Sequence, residues 1–159
     1  MGKVVVVGGG FGGATAAKYL RMWSDNRIEV TLIEPNTAFV SCPISNLVLG
    51  GSKQLADITV PYANLAGRHG VKVVRDMVIA IDPAKKTVRL ASGSTLPYDR
   101  LVLSPGTAPV RLSVPGVRLP GVFEVRTERD VLAIREWIER GTDFLAGLYL
   151  ARLASGEPP

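Results

Sequence analysis

The first chemistry legible in the chain lies in a glycine turn and a carboxylate. Lys3-Val-Val-Val-Val-Gly-Gly-Gly-Phe-Gly-Gly13 runs an apolar segment into the turn, and Ile28-Glu-Val-Thr-Leu-Ile-Glu34 closes a second apolar segment on an acid. Gly8 permits a tight turn, and Gly10 lets the backbone approach a pyrophosphate. Gly13 and Ala17 let the following helix pack closely on its strand. Phe11 and Gly12 open that helix, whose N-terminal N–H groups face phosphates. Glu34, followed by Pro35, is placed to accept hydrogen bonds from ribose hydroxyls. An ordinary glycine turn is the competing reading. The strand before, the helix after and the acid at the next strand's end favour an adenine-dinucleotide site.

Two other side chains invite attention. Cys42 is the one cysteine, which excludes an intrachain disulfide, a CxxC redox pair and a cysteine-based zinc site. His69, the one histidine, sits in Gly67-Arg-His-Gly70 and is expected as an exposed turn residue. One histidine without clustered carboxylates points away from a metal centre.

These residues must be positioned by a chain of 159 residues, enough for one domain with a real core and hardly for two. An apolar fraction of 47% suits a globular α/β protein. No uncharged apolar stretch approaches the roughly 20 residues of a membrane helix. Strand-like sequence begins by residue 3 and leaves no room for a signal peptide, so a cytoplasmic location is expected. The net charge of +5 raises nucleic acid as a partner. The nineteen Lys and Arg are scattered, however, and no basic run is interleaved with aromatics, so no nucleic-acid partner is expected. A solvated basic surface is favoured over an acidic protein partner or an anionic membrane surface.

The apolar pattern predicts strands at 3–8, 28–34, 71–74 and 98–104, with a helix at 11–23 turning Ala14, Ala17, Leu20 and Met22 inward. Residues 35–52 read as loop or short helix, and 61–66 as a short helix with Pro61 near its first turn. A small antiparallel meander is expected at 77–97. Pro109, Pro115 and Pro120 mark an irregular stretch. A helix follows from Thr127 or Glu128 to Arg140, with Val131, Ile134 and Ile138 on one face and Trp137 beside it. Gly141-Thr-Asp143 is expected to break it before a second apolar helix at 144–154 and a frayed tail. Short buried strands separated by crossover helices imply parallel pairing, hence a three-layer Rossmann-like α/β fold with a parallel sheet and a small meander. The organisation is 1–107 for the FAD/NAD(P)-binding domain, 108–141 for a crossing linker and helix, and 142–159 for a C-terminal helix and tail.

The residues also resemble the two-dinucleotide-domain flavoproteins. More closely, they resemble the flavoprotein subunit of flavocytochrome c sulfide dehydrogenase, with sulfide:quinone oxidoreductases as cousins. The carriers are Val4 to Tyr19, Ile28 to Thr37, Ser41-Cys-Pro-Ile-Ser-Asn-Leu-Val-Leu-Gly-Gly51 and Tyr98-Asp-Arg-Leu-Val-Leu-Ser-Pro-Gly-Thr107. Together they extend over roughly residues 3–140. The first block fits any FAD or NAD enzyme, whereas the block around Cys42 is far more selective. The resemblance implies FAD as cofactor ahead of NAD, and a thioether from Cys42 to the flavin 8α-methyl group, with Ser45 and Asn46 beside it. A thiolate is the nucleophile suited to that carbon once the electron-poor ring has tautomerised. The alternative is that Cys42 is a small buried apolar residue. The resemblance further implies main-chain contacts from Val78 to adenine, and Ser104 and Gly106 in the turn where the chain passes the cofactor. An ordinary strand and turn is the alternative for both. The implied partners are a cytochrome c subunit or a quinone acceptor, and the implied location is periplasmic where a leader precedes the chain.

The chain also departs from that family. Relatives interpose a second nucleotide domain, return to complete the FAD sheet with a flavin-binding Gly-Asp pair, and supply two redox cysteines for sulfide. Here Thr142 to Pro159 resembles the closing helix and tail of full-length relatives, so an internally deleted, truncated product joined near Gly141 is expected, weakly active or inactive alone. Three functions remain open. One is an FAD-dependent oxidoreductase of the sulfide dehydrogenase type, another a non-catalytic FAD- or NAD-binding module, and the third a fragment that works only beside a complementing chain.

Overall fold

The computed structural model describes residues 2–25, 27–110 and 113–155, the stretch 142–155 by its backbone alone. Three consecutive valines, Val4 to Val6, are buried in strand β1 (Gly2–Val7). An apolar strand buried on both faces belongs at the centre of a parallel sheet. β1 accordingly pairs in parallel with β2 (Ile28–Ile33) on one side and with β9 (Arg100–Leu103) on the other. β5 (Lys72–Val74) extends the sheet beyond β2, giving the order β5-β2-β1-β9. The predicted fold class is therefore the observed one.

The two-residue alternation of a strand sorts β1 between two cores. Val4 and Val6 join Ala17, Val30, Leu32, Tyr62 and Val71 on the side of α1 (Phe11–Trp23) and α3 (Ala63–His69). Val5 joins Ile33, Val88 and Leu90 on the side of the meander β6 (Val78–Asp82), β7 (Thr87–Leu90) and β8 (Thr95–Pro97). All pairings within that meander are antiparallel. Where α3 ends, Gly70 takes a left-handed φ of 62° and its N–H caps the Ala66 carbonyl.

Several expectations are corrected. Residues 35–61 contain two strands, β3 (Ala38–Val40) and β4 (Thr59–Pro61), paired antiparallel. Pro61 ends β4, and α3 begins two residues later, because an edge strand can dispense with the N–H that proline lacks. Met22 is half exposed, because it lies about two and a half turns after the buried Gly13 and so falls on the opposite face of α1. Leu103 is 57% exposed, so the last predicted strand is only partly buried, as befits the sheet's edge. His69 is the last residue of α3 and half-buried rather than an exposed turn residue.

Residues fall into two compact units, Met1–Ser41 with Thr59–Thr107, and Cys42–Ile58 with Ala108–Pro159. The second unit holds a 3-10 turn at Cys42–Ile44, α2 (Ser45–Leu49), a 3-10 turn at Leu55–Ile58 and α4 (Glu128–Ser155). α2 packs against α4, where Arg135 donates to the Val48 carbonyl at 3.3 Å. Asp130 accepts from the Thr127 N–H at 2.6 Å and its own N–H reaches the Thr127 hydroxyl, a reciprocal box that starts α4. Val131 is buried, whereas Trp137 and Ile138 are half exposed and Trp137 lies edge-on to Phe123. The expected break at Gly141 is absent, since α4 runs through it. Glycine costs a helix only about 1 kcal/mol against alanine and does not block the next turn as proline would. The predicted tail lies, from residue 156 on, outside the described residues.

Candidate functional site

The strand-to-turn-to-helix passage is built from glycines that neighbours require. Gly8 has φ +91°, and a Cβ there would collide with the Ser104 carbonyl, so the turn after β1 lies hard against the end of β9. A Cβ on Gly13 would collide with the Gly8 carbonyl, and one on Gly12 would stand 2.9 Å from the Ser104 hydroxyl oxygen. Gly13 and Ala17 are the buried residues of α1, as the spacing predicts. Gly10 differs: nothing lies within 4 Å of where its Cβ would be. It is also the N-cap of α1, and no side chain caps that terminus. Ala14 N–H closes the first helical bond onto the Gly10 carbonyl at 3.0 Å. Phe11, the first helical residue, is 68% exposed.

Glu34 stands just past β2 and is 7% exposed. One carboxylate oxygen accepts the Gly9 N–H at 2.7 Å, and the other accepts the Asn36 N–H at 3.0 Å and the Asn36 amide at 2.6 Å. The acid is thus held against the glycine turn from the neighbouring strand. Pro35 follows it and accepts from Arg75 at 3.4 Å. Val78 opens β6 opposite Leu90 and packs on the meander-side core. Ser104 follows β9, its N–H donating to Val7, and Gly106 has φ +81° in the segment beyond.

The residues predicted from the glycine pattern, with Ser104, are thereby brought together in the first unit. Cys42, Ser45 and Asn46 belong to the second. There Cys42 is exposed, which removes the reading of a buried apolar cysteine. The Ser45 hydroxyl donates to the Cys42 carbonyl at 2.8 Å, and the Asn46 carbonyl accepts from Gly50.

Tyr62 carries no local sequence signal. It is 5% exposed, and its hydroxyl donates to the Gly9 carbonyl at 2.6 Å. Burial, and then the charge of Glu34, push its phenol well above the ordinary range, so it remains a donor. No motif marks a tyrosine whose partner lies 53 residues away. Tyr62 also lines a groove of about 390 Å³ beside α1 and α3 with Lys18, Phe39, Arg68 and His69. Among the described residues no cluster of His, Cys, Asp or Glu could hold a metal ion, and no helix is long and apolar enough to cross a membrane.

Comparison with known proteins agrees with this geometry. Residues 2–141 match the pyridine nucleotide-disulphide oxidoreductase family. A stretch of 46 residues, 29% of the chain, is 70% identical to the sulfide dehydrogenase [flavocytochrome c] flavoprotein chain of Chlorobaculum thiosulfatiphilum and covers 94% of that sequence. The biphenyl dioxygenase system ferredoxin–NAD(+) reductase component of Paraburkholderia xenovorans is 29% identical over 87% of the chain and 34% of its own length. The sulfide:quinone oxidoreductase structure from Aquifex aeolicus superposes with a TM-score of 0.75 at 28% identity, over 88% of this chain and 32% of that one. The chain therefore spans about a third of these two longer relatives. With its glycine turn, its parallel sheet and a family match along most of its length, the chain belongs to the pyridine nucleotide-disulphide oxidoreductases.

Proposed function

We propose that the chain binds FAD and serves a flavoprotein oxidoreductase of the sulfide dehydrogenase type. The observation that carries the binding half is Gly10, open to solvent at the uncapped N-terminus of α1, with the buried Glu34 held at the same turn. That arrangement fits an adenine dinucleotide. The N–H groups of the first helical turn, at Phe11, Gly12 and Gly13, face the pyrophosphate, and the helix dipole favours its charge. Glu34 receives the ribose hydroxyls, and Pro35 and the main chain of Val78 flank the adenine. Gly8, Ser104 and Gly106 keep the turn narrow where the cofactor passes. When bound, FAD supplies the redox chemistry, taking up electrons and handing them on.

The sulfide reading rests on the 70% identity to the Chlorobaculum thiosulfatiphilum protein. In that reading Cys42, exposed and preceding Ser45 and Asn46, is the thiol that tethers the flavin, and electrons leave to a cytochrome c subunit or a quinone. The single cysteine favours a second reading for this polypeptide acting alone. With no cysteine pair of its own, it holds FAD or NAD without oxidising sulfide and depends on a complementing chain for turnover. Purified protein loaded with FAD and then acid-precipitated tests the tether. Yellow pellet carrying a flavin-modified Cys42 peptide is expected, and full release of flavin to the supernatant overturns covalent attachment. Sulfide-dependent reduction of cytochrome c or a quinone separates the enzyme from the binding module.

A further inference from the structure

The Gly9 backbone is gripped from two sides. Its N–H donates to Glu34 at 2.7 Å, and its carbonyl accepts from the Tyr62 hydroxyl at 2.6 Å. A Cβ on Gly9 would lie 2.6 Å from that hydroxyl oxygen and 2.9 Å from the Glu34 Cγ, so both side chains close on the same backbone atoms. In a trans peptide the carbonyl and the following N–H point in opposite directions. The structure has no cis peptide among its described residues. With the Gly9 carbonyl turned inward to Tyr62, the Gly10 N–H is turned the opposite way, and no protein atom lies within 4 Å of where a Cβ on Gly10 would be.

Tyr62 is itself fixed. Its N–H donates to the Thr37 carbonyl at 3.2 Å, its carbonyl accepts the first bonds of α3 from Leu65 and Ala66, and its ring is buried with Val4, Ala17 and Leu32. We infer that Tyr62 is a positioning residue for the dinucleotide: through its hydroxyl it sets the Gly9–Gly10 peptide so that the Gly10 N–H faces the pyrophosphate. The assignment rests on the dinucleotide reading of the turn and adds to it a residue outside the glycine motif. A bare glycine triplet samples many conformations. Preorganising its peptide removes that cost from binding.

The test is Tyr62→Phe in the full chain, which keeps the buried ring and deletes only the hydroxyl. FAD affinity and amide hydrogen exchange of the ligand-free protein are measured together. FAD binding should weaken about threefold to tenfold, the range of one net hydrogen bond. Protection of the Gly9 amide should fall, while Val6 and Leu32 keep theirs. Equal FAD affinity in the two proteins overturns the assignment. So does a loss of protection that spreads equally through Val6 and Leu32, because that is general destabilisation. If the wild-type chain binds no FAD, the dinucleotide reading falls, and an unchanged Gly9 amide would then refute the grip independently.

Discussion

At the scale of single residues, neighbouring glycines do different work and should fail differently. Gly10→Val should leave the fold intact, because a Cβ there meets nothing within 4 Å and the backbone is extended with φ −62°. It should abolish FAD binding, read by flavin fluorescence, with an unchanged melting temperature. Gly8→Ala is the reverse case: a left-handed φ and a collision with the Ser104 backbone. Strain and overpacking cost about 1–3 kcal/mol each, a large part of a typical domain stability of about 5–15 kcal/mol, so the apoprotein itself should melt early. Glu34→Ala should weaken dinucleotide binding by about 1–3 kcal/mol. It also strips the buried Gly9 N–H of its acceptor, so denaturant unfolding should shift as well. A binding loss with no stability loss would mean that the Gly9 contact contributes nothing to the fold.

At the scale of elements, legibility followed periodicity. The valine run of β1, the small residues along one side of α1 and the acid ending β2 were readable because each is local and repeats at a known period. β3 and β4 were not, because three residues are too few to show alternation, and only their pairing with each other defines them. Tyr62 was invisible for a related reason: its role depends on where α3 is placed by the fold, not on its sequence neighbours. Gly141 is the opposite case, a residue type that often breaks a helix at a position where α4 continues. Gly141→Ala should therefore stabilise α4 by about 0.5–1 kcal/mol, visible as increased helicity by circular dichroism, and no gain would place a break there after all. At the start of α4 the Thr127 and Arg126 N–H groups hold the Asp130 carboxyl below its ordinary value of 3.8. A depressed folded value means the box stabilises the helix start above that pH and is lost as pH falls through the lower one. An NMR titration should find the Asp130 midpoint below 3.8, with the Thr127 amide shifting in step, and a midpoint at or above 3.8 would contradict the box.

At the scale of the whole molecule, the sheet order, the meander and the glycine turn agree with the family match, while the Cys42 segment belongs to a separate unit. The chain covers about a third of the longer relatives. The central claim is that the turn from Gly8 to Gly13 holds FAD. The direct measurement is the visible spectrum of protein incubated with FAD and freed of excess by gel filtration, wild type beside Gly10→Val. Flavin absorbance co-eluting with the wild type and missing from the variant is the expected result. Absorbance missing from both, or equal in both, would contradict the claim.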